Sequence, residues 1–246
     1  MDIRVIHDGA HDGPTNMARD EALLERVGAG AAPPTLRLYQ WDSPTISLGY
    51  FQEYADYEML DPPAGNLPVV RRQTGGGAIL HDRELTYCLV LPARHDMIRH
   101  GATRLYEIAH DALIACLSDA GVHARRSGQT DGSTPTRGPF FCFARRHCLD
   151  VLAGDDKLAG SAQRRTRRAV LQHGSIMFER RFEQQPTAAI RRMLPMSVDD
   201  FARHWVIALG DVTGMRFEIG AWAGAELALA AELTAKYTGD EWTRKR

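Results

Sequence analysis

The chain has 246 residues, 44% hydrophobic and 25% charged, with a formal net charge of −1. That suits one large globular domain with a real core, alone or with a small appendage, and it excludes a global field for nucleic acid or an anionic membrane, so any charge-based recognition is local. Four irregularly spaced cysteines, Cys88, Cys116, Cys142 and Cys148, exclude a disulfide framework, and no apolar run reaches the length of a signal core or membrane span.

In chain order, IRVIHDG predicts a short strand entering a Gly-Pro turn. TNMARDEALLERVGAG has helical spacing, with Thr15 or Asn16 as the N-cap and Met17, Ala18, Ala22, Leu23 and Val27 on the buried side. TLRLYQW alternates as a half-buried strand, and ISLGYF follows the Ser43-Pro44 turn. PVVRRQTGGGAILHDRELTYCLVLP reads as strand, glycine turn and one or two further strands. Residues 104–120 carry Leu105, Ile108, Ala109, Ala112, Leu113 and Leu117 at helical spacing. The polar, turn-rich stretch from Ser127 to Pro139 predicts a mobile loop. CLDVLAG and KLAGSAQRR face each other across a GDD hairpin turn, and AVLQHGSIMF adds another strand. SVDDFARHWVIALGDVTG and GAELALAAELTAKY predict two closing helices. Strands in the middle and helices at the flanks, without regular β-α-β alternation, argue for an α+β fold in a single domain spanning 1–246.

Three segments carry chemistry. In Arg71-Arg72-Gln73-Thr74-Gly75-Gly76-Gly77-Ala78, three consecutive glycines let backbone approach a ligand and expose N–H groups to an anion or carbonyl. The two arginines suit a phosphate or carboxylate in fork geometry. The bland counterpart is a hairpin corner with solvated arginines, and the spacing fits neither a Walker loop nor a Rossmann fingerprint. Cys142, in PFFCFARR, is either a small buried residue or a thiol made nucleophilic by a neighbouring cation, with Lys157, Arg145 and Arg146 as candidates. Lys157 opens a strand of small residues, Gly160, Ser161 and Ala162, that leave room beside it, although a lysine after Gly-Asp-Asp also suits a solvated turn. His173, in QHGS, suits a polar wall of a site or a hydrogen-bonded core position. Arg164, Arg165, Arg167 and Arg168 form a basic cluster suited to an acidic protein partner or to a solvated strand edge.

Taken in order, NMARDEALL, SPTISLGYFQ, VVRRQTGGGAILHDRELTYCLVLP, the Cys142-Phe143 pair, KLAGSAQRR, LQHGSI and the tail KYTGDEWTRKR resemble the lipoate-protein ligase and octanoyltransferase family, related to biotin-protein ligase. The resemblance covers nearly the whole chain. It implies an α+β catalytic domain whose central mixed or antiparallel sheet carries a groove for a medium-chain acyl group. By match to the motif, Arg72, Gly77, Ala78, Ile79, Leu80 and Lys157 line the acyl or acyl-adenylate site. His81 and Asp82 of the same motif shape the turn. With Gly75, Gly76, His81, Gly160, Ser161, Ala162 and His173, these make up the candidate binding set.

The resemblance implies one of two chemistries. Transferases take octanoyl from acyl carrier protein onto a cysteine and deliver it to a lipoyl domain, with no cofactor. Ligases activate lipoate with ATP and magnesium as an adenylate. Cys142, fifteen residues before Lys157, matches the cysteine-dependent transferases, as do ELTYC and LQHGSI. The chain also has no room for the accessory domain that many ligases carry. Gly77 departs from that pattern: those transferases usually carry arginine there, and GGG is the ligase form. Ala-Arg-Arg-His after Cys142 also departs from the smaller, Pro-containing stretch of the family. The expectation is octanoyl transfer through Cys142 and Lys157, with an oxyanion held by backbone N–H groups near Gly76, Gly77 or Gly160. The alternatives are ligation, amidotransfer between two lipoyl-domain proteins, and a non-catalytic acyl-binding scaffold. The expected setting is cytoplasmic, as a monomer with transient acidic partners and neither nucleic acid nor membrane.

Overall fold

The structure, a computed structural model, describes residues 2–99, 101–132 and 137–246. β1 (Ile3–His11) leads into α1 (Gly13–Gly28), then β2 (Thr35–Trp41) and β3 (Thr45–Leu48). The short α2 (Tyr54–Glu58) precedes β4 (Val69–Arg71), β5 (Ile79–His81) and β6 (Glu84–Pro92). α3 (Thr103–Asp119), β7 (Ala124–Arg126) and β8 (Val151–Ala153) follow, then β9 (Asp156–Arg165) and β10 (Ala169–Met177). α4 (Val198–Thr213), β11 (Phe217–Ile219), α5 (Gly224–Thr238) and α6 (Asp240–Thr243) complete the order.

Eight strands form one mixed sheet in the order β11-β1-β2-β6-β10-β9-β8-β7. β1 runs parallel to both neighbours, and the other pairs are antiparallel. β4-β3-β5 make a second, small sheet, so the glycine segment joins two strands that both pair with β3 rather than with each other. This is the expected α+β architecture.

Helices cover both faces of the large sheet. Leu36, Leu38, Leu85, Leu89 and Leu91 pack with Leu105, Leu113, Phe201 and Trp205 of α3 and α4. The alternate residues Tyr39, Cys88, Val90 and Leu171 pack with Met17, Leu23 and Val27 of α1 and Tyr237 of α5. β2 is therefore buried on both faces, not on one. Its alternation misleads because Arg37 points inward, where Asp8 and Asp20 take its charge at 2.7 Å each. Burying a cation is tolerable only with such partners.

The first helix begins earlier than the Thr15 or Asn16 cap would set it. Asp12 caps it by accepting from Thr15 N at 2.8 Å, and Pro14 suits the first turn, where no intrahelical N–H is needed. Asn16 is buried instead and donates to His11 O and Gln40 O. Of the loop expected from Ser127 to Pro139, residues 133–136 lie outside the described residues. Its first part is fastened: Ser127 N donates to Asp150 O at 2.8 Å and Gly128 N to Cys148 O at 2.9 Å.

Candidate active site

Cys142 starts a single 3-10 turn, Cys142–Ala144. Its N–H donates to Ala78 O at 2.7 Å, and Ala78 N donates to Phe140 O at 2.9 Å, which pins this segment to the entrance of β5. The two flanking phenylalanines are the buried anchors, Phe141 in the core of the small sheet and Phe143 against Ile79 and Met177. Cys142 is left partly accessible between them, whereas Cys88 and Cys116 are buried. Burial pushes the Cys88 thiol far up and the Cys116 thiol to about 11, so both are inert.

Lys157 comes from the other side, at the start of β9. Its Nζ lies 3.6 Å from Cys142 Sγ, 3.3 Å from Cys142 O and 2.7 Å from Asp150 Oδ2, and the side chain is 3% exposed. Burial opposes the charge, but attraction to Cys142 and to the Asp150 carboxylate outweighs it and holds Lys157 above the usual lysine range. Gly160 makes the placement possible. A side-chain carbon there would lie 2.6 Å from Lys157 Cε and 2.9 Å from Nζ, closer than any tolerable contact.

A narrow cavity runs inward from Cys142 between the two sheets. Of the candidate binding residues, Arg72, Gly75, Gly76, Ile79, His81, Gly160, Ser161, Ala162 and His173 line it, together with Met17 and Tyr39. A wider, more polar groove opens on the other side of Cys142, past Gly77, Lys157, Asp150, Tyr106, His110, Arg145, Arg146 and His147. The two spaces share Gly75, Gly76, Cys142, Ser161 and Ala162. Cys142 thus stands between a narrow inner cavity and an open approach.

Two of the candidate residues point elsewhere. Ala78 and Leu80 are buried with Ile46 and Phe141 in the core of the small sheet, because residues alternate across β5 and Ile79 and His81 take the cavity side. His81 is in the strand rather than at a turn. Its Nδ1 meets Glu84 Oε1 and its Nε2 meets Ser47 Oγ, both at 2.7 Å, and its ring stacks on Trp41 at 3.8 Å.

The arginine fork expected of Arg71 and Arg72 is largely turned onto protein oxygens, although Arg71 Nη2 is buried without a hydrogen-bond partner among the described residues. Arg72 donates to Thr74 Oγ1, to Ser47 O and Oγ, and to Gly75 O and Gly77 O; the last two are at 2.7 Å. Arg71 donates to Gly49 O, Gln52 O and Thr243 O. Both are buried, and burial pushes Arg72 down to about 10 despite attraction to Cys142. Carbonyl and hydroxyl oxygens meet the donors of the buried Arg72, as burial of a guanidinium requires. Arg72 therefore shapes the glycine loop, in which Gly76 sits at φ 94, a left-handed conformation that suits glycine.

His173 anchors the same loop. Its Nε2 is 2.6 Å from Thr74 Oγ1 and its Nδ1 is 3.0 Å from Asp20 Oδ2. The order hydroxyl, imidazole, carboxylate is that of a hydrolase triad, but Thr74 is fully buried and already accepts from Arg72 Nε. The chain ties α1 and β10 to the glycine segment instead. Asp150 and Asp20 escaped the sequence reading, since a lone aspartate carries no pattern.

A buried lysine beside a partly accessible cysteine, where a narrow cavity meets an open groove, makes a candidate catalytic pair. Residues 12–208 match the lipoyl protein ligase A/B catalytic domain family, to which this chain belongs. Octanoyltransferase LipM of Kyrpidia tusciae is 32% identical over 99% of this chain and 98% of that protein. Among solved structures, protein Ta0514, a putative lipoate protein ligase from T. acidophilum, superposes with a TM-score of 0.82 at 24% identity, covering all of both chains. A bi-partite lipoate protein ligase from Thermoplasma acidophilum, studied with its E2 lipoyl domain, gives 0.76 at 20% identity over 99% of this chain and 96% of that one. No helix among the described residues is long and apolar enough to cross a membrane.

Proposed function

We propose that this chain transfers an octanoyl group from an acyl carrier protein thioester to a lysine of a lipoyl-domain protein, through an acyl-Cys142 intermediate. The observation that carries this reading is the 3.6 Å approach of the buried Lys157 ammonium to Cys142 Sγ. A cation so placed favours a thiolate. The thiolate attacks the donor carbonyl carbon, the donor C–S bond breaks, and the carrier thiol leaves with a proton. The target lysine, entering neutral, then attacks the acyl-Cys142 carbonyl; an amide forms, the C–S bond to Cys142 breaks and the lysine proton is released. The naming of the Kyrpidia tusciae relative as an octanoyltransferase supports the acyl group chosen.

The lipoyl-domain acceptor fits the basic face at the far end of β9. Arg164, Arg165, Arg167 and Arg168 are exposed, and none has a carboxylate within 4.0 Å among the described residues. Such a patch on a chain of net charge −1 favours an acidic partner.

Incubation with octanoyl-acyl carrier protein followed by intact-mass analysis should add one octanoyl group to the wild type and none to Cys142→Ala. Transfer by Cys142→Ala at the wild-type rate would end the covalent reading. A second reading, ATP-dependent lipoate ligation, draws on the glycine at position 77 and on the open groove, where Arg145, Arg146 and His147 could meet nucleotide phosphates. It requires lipoate-dependent pyrophosphate release that survives Cys142→Ala.

A further inference from the structure

We propose that Arg145, seated in the space left by the missing side chain of Gly77, is a further cation of the Cys142 pocket, beside Lys157 and Arg72, and positions the thiolate by its charge. The inference rests on Cys142 acting as the nucleophile.

A side-chain carbon built on Gly77 would lie 2.7 Å from Arg145 Nε, 3.0 Å from Arg145 Cζ and 3.0 Å from Cys142 N. The guanidinium therefore lies directly over the glycine, and any larger residue at 77 must displace it or the nucleophile's own backbone. Arg145 is fixed there from two directions. Its backbone N–H donates to Cys142 O at 3.0 Å, closing the 3-10 turn, and its Nε donates to Pro139 O at 2.6 Å. The side chain belongs to a residue that is 9% exposed and borders the open groove beside Cys142 and Lys157.

The charges around Cys142 give this position a consequence. Lys157 is matched by Asp150 at 2.7 Å, whereas the partners of Arg72 among the described residues are carbonyl and hydroxyl oxygens. Burial works against the charge on both Arg72 and Arg145; attraction to Cys142 works for it in both, and at Arg145 the Asp131 carboxylate does so as well. Arg145 also works against the charge on Arg72, and an anion at Cys142 offsets that repulsion. Arg145 and Lys157 both border the groove, and Arg145 stands on its Gly77 side. It is a positioning residue whose charge acts on the reacting sulfur.

The test compares alkylation of Cys142 by iodoacetate, an anion, with alkylation by neutral iodoacetamide, in a background where Cys148 is serine. The ratio of the two rates reads the local field at the sulfur and does not depend on any acyl donor. Arg145→Met should lower the ratio on the order of tenfold, about one decade per 1.4 kcal/mol of lost attraction. It should also lower the rate of acyl-enzyme formation, while Arg145→Lys should recover most of both. A ratio unchanged in Arg145→Met, or no better in Arg145→Lys than in Arg145→Met, overturns the proposal. Should Arg145→Met melt below the assay temperature, Arg145→Gln keeps a donor for Pro139 O without the charge, and a wild-type ratio in that variant overturns it equally. A lowered ratio in a protein that never forms an acyl-enzyme keeps Arg145 as a cation of the pocket and refutes the transferase reading instead.

Discussion

Asp150 Oδ2 lies 2.7 Å from Lys157 Nζ, with side chains 7% and 3% exposed, so a carboxylate and an ammonium share a nearly dry site against the candidate nucleophile. Asp150 also accepts from His147 N at 2.8 Å, which ties the segment after Cys142 to the same carboxylate. Removing one member of a buried pair leaves the other charge uncompensated, at a cost of about 3–5 kcal/mol. Asp150→Asn should therefore lower the melting temperature and slow acyl-enzyme formation on the order of 100-fold, the scale of losing one well-placed polar catalytic group. Calorimetry and single-turnover mass spectrometry measure the two effects. A variant with wild-type rate and stability would show that the pair is idle.

Gly160 separates steric from electrostatic control of Lys157. Gly160→Ala puts a methyl 2.6 Å from Lys157 Cε and 3.2 Å from Asp150 Oδ1, so the ammonium must leave its present seat beside Cys142 and Asp150. Overpacking of this kind costs about 1–3 kcal/mol, which the fold should survive. The expected outcome is a folded protein with at least roughly tenfold slower acylation, one decade for each 1.4 kcal/mol of misplacement. Wild-type acylation in the folded variant would mean that Lys157 is not needed where it stands.

Stability should fall at both ends of the pH range, for opposite reasons. Burial holds His81 and His110 below the usual histidine value, although Glu84 opposes it at His81 and the Leu149 carbonyl opposes it at His110. Below about pH 6.5 the unfolded chain binds protons that the folded one does not, so stability declines on acidification. At Lys157 burial is outweighed by attraction to Cys142 and Asp150, and the folded value is raised. That contribution is intact below the unfolded value near pH 10.4 and is lost as pH rises through the folded one. Urea midpoints should be flat between about pH 7 and 9 and lower on either side. A midpoint that rises from pH 7 to pH 5.5 contradicts the histidine assignment.

The exposed arginines after Gln163 should govern encounter rather than chemistry. Arg164→Glu with Arg167→Glu reverses part of the basic face without touching the cavity lining. Modification of a lipoyl domain should lose kcat/KM by about tenfold at low salt, with the deficit shrinking as ionic strength rises. Acylation of Cys142 by a small octanoyl thioester should be unaffected. An equal loss with the small thioester would place these arginines in the reaction rather than in docking.

Much of the architecture follows from local pattern. Leu105, Ile108, Leu113 and Leu117 recur at helical spacing and lie in the core beneath α3, and the hairpin across Gly154-Asp155-Asp156 pairs β8 with β9. Cys142 and Lys157 were also within reach, because the order of the motifs held them fifteen residues apart. The same patterns misjudged TLRLYQW and the Arg71-Arg72 pair, where a buried guanidinium looks from sequence like a solvated one.

The sequence by itself determined the helices, most strands, the α+β class, the family resemblance and the two residues at the centre of the site. Tertiary structure alone decided what surrounds them: Asp150 against Lys157, Thr74 and Asp20 on the two nitrogens of His173, backbone carbonyls against Arg72 and Arg71, and Arg145 over Gly77. The physical reason is that periodicity reports which face of an element meets the core, and that information is local. The partner of a buried charge is whichever donor or acceptor the fold brings within about 3 Å. Here those partners lie as far apart in the chain as Asp20 and His173, and no spacing records them.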